Sequence, residues 1–573
     1  MNQSINLSKR SRFLLAILLL VLIAPSHLIA VDRPITVDEP WWLISGSNYY
    51  YALTNRDFAS TLYDYHPAVT TTWMVTSGMV AYFPEYRGLG QGYFDVRKPK
   101  FEEFLREHGK EALDLLRYSR WIQSALILAF AMLGFFLLQK LMDYRMAFLA
   151  ITLAMVAPFY LGHSRLLNHE GMLAIFVVIS LIGMHVYLEM GRKLVFLLIS
   201  GMAFGLAQLT KSTSIVLLGV VGIMLLVDLF KRTEKTFSSK FWQAIKTFVM
   251  WFGTAALAYF ILWPGMWADP GRMLSEVYGN AFSYAFQGAR LDVTEELALE
   301  EFSVVTRSDG LLQYVEYWVS GTTFITWFGL LFAIAFLFSK EKEQVLAQVK
   351  SLVGYLALLG TLFILMFGIA QGRNHAHYIM NTFVTFDVIA GIGWGSALLW
   401  AGSRWKWVAS VYGSVAVMVG VILAQIGFGL PYAPYYFTYK NPLASEPATY
   451  AYGEGYSEAA DYLAQKPNAK ELRAYVYNGM GTFSYFFPGE TLVFKRVYLL
   501  DESFEQIADE IRNSDYLVLY PIAHKKQPET EKILGVLKDV TPEKTIFING
   551  LEYLYIYYVP DIPDAVYEDL INQ

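Results

Sequence analysis

Residues 9–42 read KRSRFLLAILLLVLIAPSHLIAVDRPITVDEPWW, and their order decides how the rest of the chain is read. Three cations, Lys9, Arg10 and Arg12, precede an apolar run over 13–30. A signal peptide has the same shape. The many apolar runs that follow favour a retained first membrane helix, and its positive flank puts the N-terminus in the cytoplasm. The chain then emerges on the outer side at Val37-Asp38-Glu39-Pro40-Trp41-Trp42, opening a loop that runs to about Arg117. Two adjacent carboxylates beside a membrane span invite chemistry. A helix N-cap or an interfacial charge is the plainer alternative for Asp38, and the remaining sequence has to choose.

Composition sets the class. The chain is 55% hydrophobic, which is above the range of soluble domains. Its charged residues, 17% of the total, fall between apolar runs rather than along one face of each. A net charge of −5 with no basic motif gives no sign of a nucleic-acid partner. The absence of cysteine excludes disulfides, thiolate chemistry and Cys-ligated metal. The abundant Tyr and Trp suit interfacial belts, and also stacking surfaces for sugars.

Apolar runs recur near 118–139, 146–163, 171–190, 194–210, 213–230, 247–264, 321–338, 351–370, 378–400 and 407–428. With the first run this makes about eleven transmembrane helices, each long enough to cross when tilt is allowed. The connecting loops test that count. Lys140 and Arg145, Arg192 and Lys193, the stretch 231–246, the stretch 340–350, and Arg404 with Lys406 all fall on the side where cations are expected, the cytoplasmic one. An odd number of spans puts the C-terminal region outside.

The outer loops carry the unusual polar residues. In the first, residues 31–117, Val69, Trp73, Val80 and Phe83 recur near helical spacing, as in a helix lying in the interface. The second is only Ser164-Arg165-Leu166-Leu167-Asn168-His169-Glu170, and the third is Thr210-Lys211-Ser212. The fourth begins Trp263-Pro264-Gly265-Met266-Trp267 and holds an acidic stretch over 295–301. The fifth is Gln371-Gly372-Arg373-Asn374-His375-Ala376-His377. From about 431 the composition changes and Pro431, Pro434 and Pro442 mark a linker. Helical patterns over 457–465, from Ser503 onward and over 529–538 then alternate with strand patterns over 473–477, 491–497 and 516–520. Ser503 and Gln506 form a capping box, and Asn549-Gly550 joins two final strands as a hairpin. The reading is a transmembrane module over 1–430 followed by a small extracytoplasmic α/β domain over 431–573. No internal repeat is evident, which weighs against a transporter built from inverted repeats.

One reaction matches this inventory. A lipid-linked sugar phosphate needs an apolar groove for its lipid and cations for the phosphate leaving group. It also needs a carboxylate to take a proton from an acceptor hydroxyl. Asp38, Lys211 and Arg373 fit those roles. No Gly-rich phosphate loop is present, which disfavours a nucleotide donor. A zinc site from His169, His375 and His377 is conceivable, but two of the three are separated by a single loop residue.

The order of these features resembles the GT-C superfamily of integral-membrane glycosyltransferases. It is most similar to the protein O-mannosyltransferase branch and the bacterial lipid A aminoarabinose transferases. In those families an Asp-Glu pair follows the first span, where Asp38-Glu39 stands. His66-Pro67 resembles a His-Pro pair that follows. Arg165 and Glu170 resemble an Arg and a later acid, more often Asp, in the short second outer loop. Gly205-Leu206-Ala207-Gln208-Leu209-Thr210-Lys211 matches a recurring stretch, and Arg373 with His377-Tyr378 resembles a basic residue before a late span. Trp263-Pro264-Gly265-Met266-Trp267 and Asn441-Pro442 resemble a prokaryotic subset. The resemblance covers about residues 1–445. It implies a polyprenyl-phosphate monosaccharide donor (dolichyl- or undecaprenyl-phosphate) and inverting catalysis without a metal or other cofactor. It also implies Asp38 as general base with Glu39 beside it. Donor and substrate contacts would come from His66, Arg165, Glu170, Lys211, Arg373, His375 and Tyr378. The C-terminal domain departs from the eukaryotic pattern, so the acceptor (protein, lipid or glycan) does not carry over. The implied setting is the plasma membrane.

Two other readings stay open at this point. A transporter of a lipid or sugar-like substrate predicts ionisable residues near the midplane of the spans, whereas the charges here lie at one edge. A non-catalytic membrane scaffold leaves Asp38, Lys211 and Arg373 without a purpose.

Overall fold

In lipid, a backbone amide without a partner is costly, so long apolar runs close their hydrogen bonds internally as helices. The computed structural model describes residues 9–231, 236–287, 310–339, 344–370, 374–444, 450–494, 503–522 and 528–573. Among them, eight helices are long and apolar enough to cross a membrane: Arg10–Leu28, Ala112–Leu138, Glu170–Glu189, Ser212–Lys231, Phe237–Leu262, Leu346–Ile369, Ala376–Gly402 and Val411–Tyr432. Two bent pairs bring the number to as many as ten. The protein is a multi-pass membrane protein.

The difference from a count of about eleven has local causes. The run over 146–163 is broken into Tyr144–Val156 and Pro158–Ser164, bent by 63°. Pro158 has no amide hydrogen and pushes Ala157 out of the helical region, to φ −61 and ψ 129. The run over 321–338 belongs to a second bent pair, Leu311–Gly321 with Phe324–Leu337, at 105°. There Thr323 stops one helix and caps the next, accepting from the Thr326 amide at 3.2 Å. Leu194–Thr210 has only 17 residues and is too short to count by itself.

The chain divides into two compact units. The first comprises Met1–Ile29, Tyr49–Met74 and Trp121–Glu446. At its centre Met380–Gly402 packs closely: Gly391 and Gly395 lie against the backbone of Ala150 and Met146, and Gly393 against the carbonyl of Gly329. Small residues let these helix backbones approach, as is usual where lipid offers no hydrophobic drive.

The second unit comprises Ala30–Asn48, Val75–Arg120 and Pro447–Gln573. It holds a mixed sheet of β1 (Arg473–Tyr477), β2 (Glu490–Phe494), β3 (Tyr516–Leu519), β4 (Lys544–Ile548) and β5 (Leu551–Tyr558), in the order β2-β1-β3-β5-β4. β1 runs parallel to both β2 and β3, and β5 is antiparallel to β3 and β4. Val476, Val518 and Ile556 stand side by side across β1, β3 and β5 and are fully buried. Asn549 and Gly550 take φ of 51° and 80°, the paired positive values a two-residue hairpin needs. Ser503 caps Phe504–Arg512 through the reciprocal bonds of a capping box.

Helix Lys100–Glu107 adds a buried carboxylate to this unit. Glu102 accepts from Ser484 Oγ at 2.9 and 3.0 Å. Burial pushes its carboxyl up to about 7, against the opposing pull of that hydrogen bond. A group whose pKa is raised by folding stabilises fully below its ordinary value, and the contribution is lost as pH rises through the folded value. The thermal midpoint is therefore expected to fall between pH 5 and pH 8, by the equivalent of at most roughly 3 kcal/mol. Glu102→Gln should flatten that slope. Parallel slopes for the two proteins would remove Glu102 as the cause.

Candidate active site

The helix Glu39–Thr54 begins at the Asp38 carbonyl, which accepts from the Trp42 amide at 3.2 Å. Asp38 thus stands at the N-cap position, half-buried. Its carboxylate makes no hydrogen bond or ion pair among the described residues. Glu39 has the opposite environment. It is fully buried and faces Arg120, equally buried, with Nε at 2.8 Å and Nη2 at 2.5 Å from its oxygens. The Thr36 amide donates to Glu39 at 2.8 Å and the Thr36 hydroxyl at 3.2 Å. Arg120 also donates to the carbonyls of Val31 and of Pro34, the latter at 2.7 Å. The pair therefore fastens the segment 31–39 around one buried ion pair, and Asp38 is the carboxylate left accessible to solvent. All of these residues belong to the second unit.

In the first unit a second cluster forms at helix ends. Glu170 opens Glu170–Glu189 and its amide donates to Asn168 Oδ1 at 3.1 Å. Lys211 follows Leu194–Thr210 in extended conformation, at φ −158 and ψ 131. Its ammonium donates to Glu170 Oε1, and His169 Nε2 lies 3.5 Å from the same oxygen. Both members of the pair are buried. The Lys211 ammonium sits 4.8 Å from the centre of the Tyr378 ring, a cation–π contact. Aromatic neighbours extend the cluster: His377 lies 4.4 Å from Tyr378, His375 stacks on His377 at 5.4 Å, and His66 lies 5.4 Å from His169.

His66, Glu170, Lys211, His375 and Tyr378, expected from sequence as substrate contacts, are thus brought together. Arg165 instead donates to the Ile29 carbonyl at 2.9 Å and lies 5.4 Å over Tyr436. Arg373 falls outside the described residues, as does the acidic stretch 295–301. Among the described residues no group of three or more His, Asp or Glu is arranged to hold a metal ion.

Among the buried polar residues that escaped sequence reasoning are Arg120, His163 and Asp387. His163 lies 5.7 Å from His377, and neither of its ring nitrogens has a hydrogen-bond partner among the described residues. Its only signal was a histidine closing an apolar run. Asp387, inside Ala376–Gly402, accepts from the Thr326 hydroxyl at 2.6 Å. It is an ionisable group within a span, hydrogen-bonded to the neighbouring helix Phe324–Leu337.

With this geometry in place, the chain can be set beside known proteins. Residues 117–263, which include Arg165, Glu170 and Lys211, match the family model described as dolichyl-phosphate-mannose-protein mannosyltransferase. No curated protein matches the chain. Among solved structures, ArnT from Cupriavidus metallidurans bound to undecaprenyl phosphate superimposes with a TM-score of 0.50 at 12% identity, over 96% of this chain and 98% of ArnT. The archaeal oligosaccharyltransferase AglB from Archaeoglobus fulgidus, in complex with an inhibitory peptide and a dolichol-phosphate, gives 0.43 at 11% identity, over 91% of this chain and 70% of AglB. The S. cerevisiae protein O-mannosyltransferase Pmt1-Pmt2 complex bound to the sugar donor gives 0.35 at 16% identity, over 53% and 39%. The ordered motifs, the matched segment and an alignment with ArnT over most of both chains agree: the chain carries the GT-C fold of integral-membrane glycosyltransferases.

Proposed function

We propose that this protein transfers one monosaccharide from a polyprenyl-phosphate donor to an acceptor hydroxyl on the outer face of the plasma membrane. The observation that carries the reading is the buried Lys211–Glu170 pair, ringed by His169 and Tyr378 at the ends of membrane helices. A buried ammonium at the ends of membrane helices suits a phosphate whose tail stays in the bilayer. The bound undecaprenyl phosphate of ArnT, a protein of the same fold, supports a lipid of that class.

The acceptor oxygen attacks the anomeric carbon as the bond to the phosphate oxygen breaks, inverting the configuration. The electron pair leaves with the lipid phosphate, and the acceptor proton goes to Asp38. Lys211 and Arg373 neutralise the departing phosphate. His66, His375 and Tyr378 line the donor, while Glu170 and Arg165 position it. Glu39 supports Asp38 through the backbone. No metal or other cofactor is needed for these steps. In this reading the N-terminus is cytoplasmic and the C-terminal region lies outside with Asp38, an orientation that the cations in the connecting loops favour.

Purified protein incubated with a panel of polyprenyl-phosphate sugars and candidate acceptors should release free polyprenyl phosphate with one donor class. Lys211→Met is expected to slow that release about 10²- to 10³-fold, the range for removing one preorganised donor to a developing anion. Release from a nucleotide sugar, with none from any lipid-linked donor, would overturn the reading.

A further inference from the structure

The segment carrying Asp38 is gripped on both sides by turns of the C-terminal region of its own unit. Upstream, Arg33 meets Asp461 fork to fork, at 2.5 and 2.9 Å, and lies 4.7 Å over the Phe486 ring. Next to Asp38, the Val37 amide donates to the Tyr452 carbonyl at 3.2 Å. One residue further along that turn, Gly453 has φ +118, and a Cβ there would fall 2.5 Å from the Ile35 carbonyl oxygen. Downstream, Gly481 has φ +74, and a Cβ there would fall 2.1 Å from Pro40 Cγ. No L-residue fits either place without a shift of the turn or of the 35–40 segment against it.

Both turns are themselves anchored. The buried Glu454 carboxylate accepts from the Tyr452 amide at 2.7 Å and from the Tyr520 hydroxyl beyond the end of β3. The Gly481 amide donates to Ser484 Oγ at 2.8 Å, and that hydroxyl donates to Glu102. The sheet domain thus reaches Val37 and Pro40, the residues flanking the Asp38-Glu39 pair, through rigid turns rather than through a loose linker.

We propose that the C-terminal α/β region is a positioning device for the Asp38 carboxylate, with Gly453, Gly481 and the Arg33–Asp461 pair as its positioning residues. The proposal rests on the reading of Asp38 as the base. A displacement of about 1 Å at a reacting group is enough to cost on the order of a hundred-fold in rate. A small shift of the 35–40 backbone therefore lowers turnover without touching the donor cluster.

The test uses the full chain reconstituted in lipid. Gly481→Ala and Gly453→Ala are compared with Gly550→Ala, a control in the β4–β5 turn. Gly550 shares a positive φ of +80° but has no atom within 4 Å of a built Cβ. The first two variants are expected to lower kcat about ten- to a hundred-fold, with the donor KM within about two-fold of wild type. Gly550→Ala should keep kcat at a comparable thermal midpoint. Should the glycine variants fail to fold, Asp461→Asn should show the same kcat-selective loss at smaller size, and Asp461→Glu should restore most of it. Glycine and Asp461 variants whose kcat matches that of Gly550→Ala would overturn the proposal. Asp38→Asn, run in parallel, separates the two ideas. Full activity in that variant removes the base assignment, whereas an inactive Asp38→Asn beside normal glycine variants removes only the positioning role.

Discussion

Asp38→Asn is expected to slow sugar transfer by about 10²- to 10⁴-fold while leaving the protein folded. Both halves of that expectation follow from the geometry. The carboxylate is half-buried and makes no hydrogen bond or ion pair among the described residues, so removing its charge breaks no described contact. Asn is as good as Asp at a helix N-cap, and the Asp38 carbonyl still receives the Trp42 amide. The expected change in stability is about 0.5 kcal/mol or less. An amide, however, cannot take the acceptor's proton. Turnover and thermal midpoint measured on the same preparation give the answer. Wild-type turnover at an unchanged midpoint would end the assignment of Asp38 as base.

The second large effect is structural. Arg120→Met should cost roughly 3–5 kcal/mol, because it strips the buried Glu39 carboxylate of the cation that pairs with it. It also removes the donor from the Val31 and Pro34 carbonyls. Glu39→Gln alone is expected to be costly too, since it leaves Arg120 charged and under-paired. The double variant should recover part of the combined loss, since neither buried charge then lacks its partner. Thermal midpoints of the two single variants and the double variant test this. Strictly additive losses would show that the two side chains do not act as a pair.

These two predictions also show what a sequence can and cannot say. Asp38 and Glu39 are neighbours and read alike as a string, yet one is half-exposed and the other sealed. Successive side chains on a helix point about 100° apart, so the start of Glu39–Thr54 sends them in different directions. Arg120 stands 81 residues from Glu39, at the head of an apolar run, and nothing local marks it as the partner. Motif order and loop side pointed to Glu170 and Lys211 as members of one set, but their contact 41 residues apart is a product of helix packing. Features with local causes were more legible. The Asn549-Gly550 hairpin and the Ser503–Gln506 capping box are fixed by turn geometry and by reciprocal backbone bonds within four residues. The bend at Ala157 was written as Pro158, but hydropathy alone ran through it.

The buried pair at Glu170 and Lys211 has a consequence for turnover. A cation already matched by an internal carboxylate accepts a phosphate only by exchange, so under the proposed role of Lys211 the Glu170 carboxylate would compete with the lipid phosphate. Each departing phosphate would hand the ammonium back to that carboxylate. Spent carrier would then be held less tightly than a lone buried lysine would hold it, and product would clear without help from bulk ions, which reach a buried pair poorly.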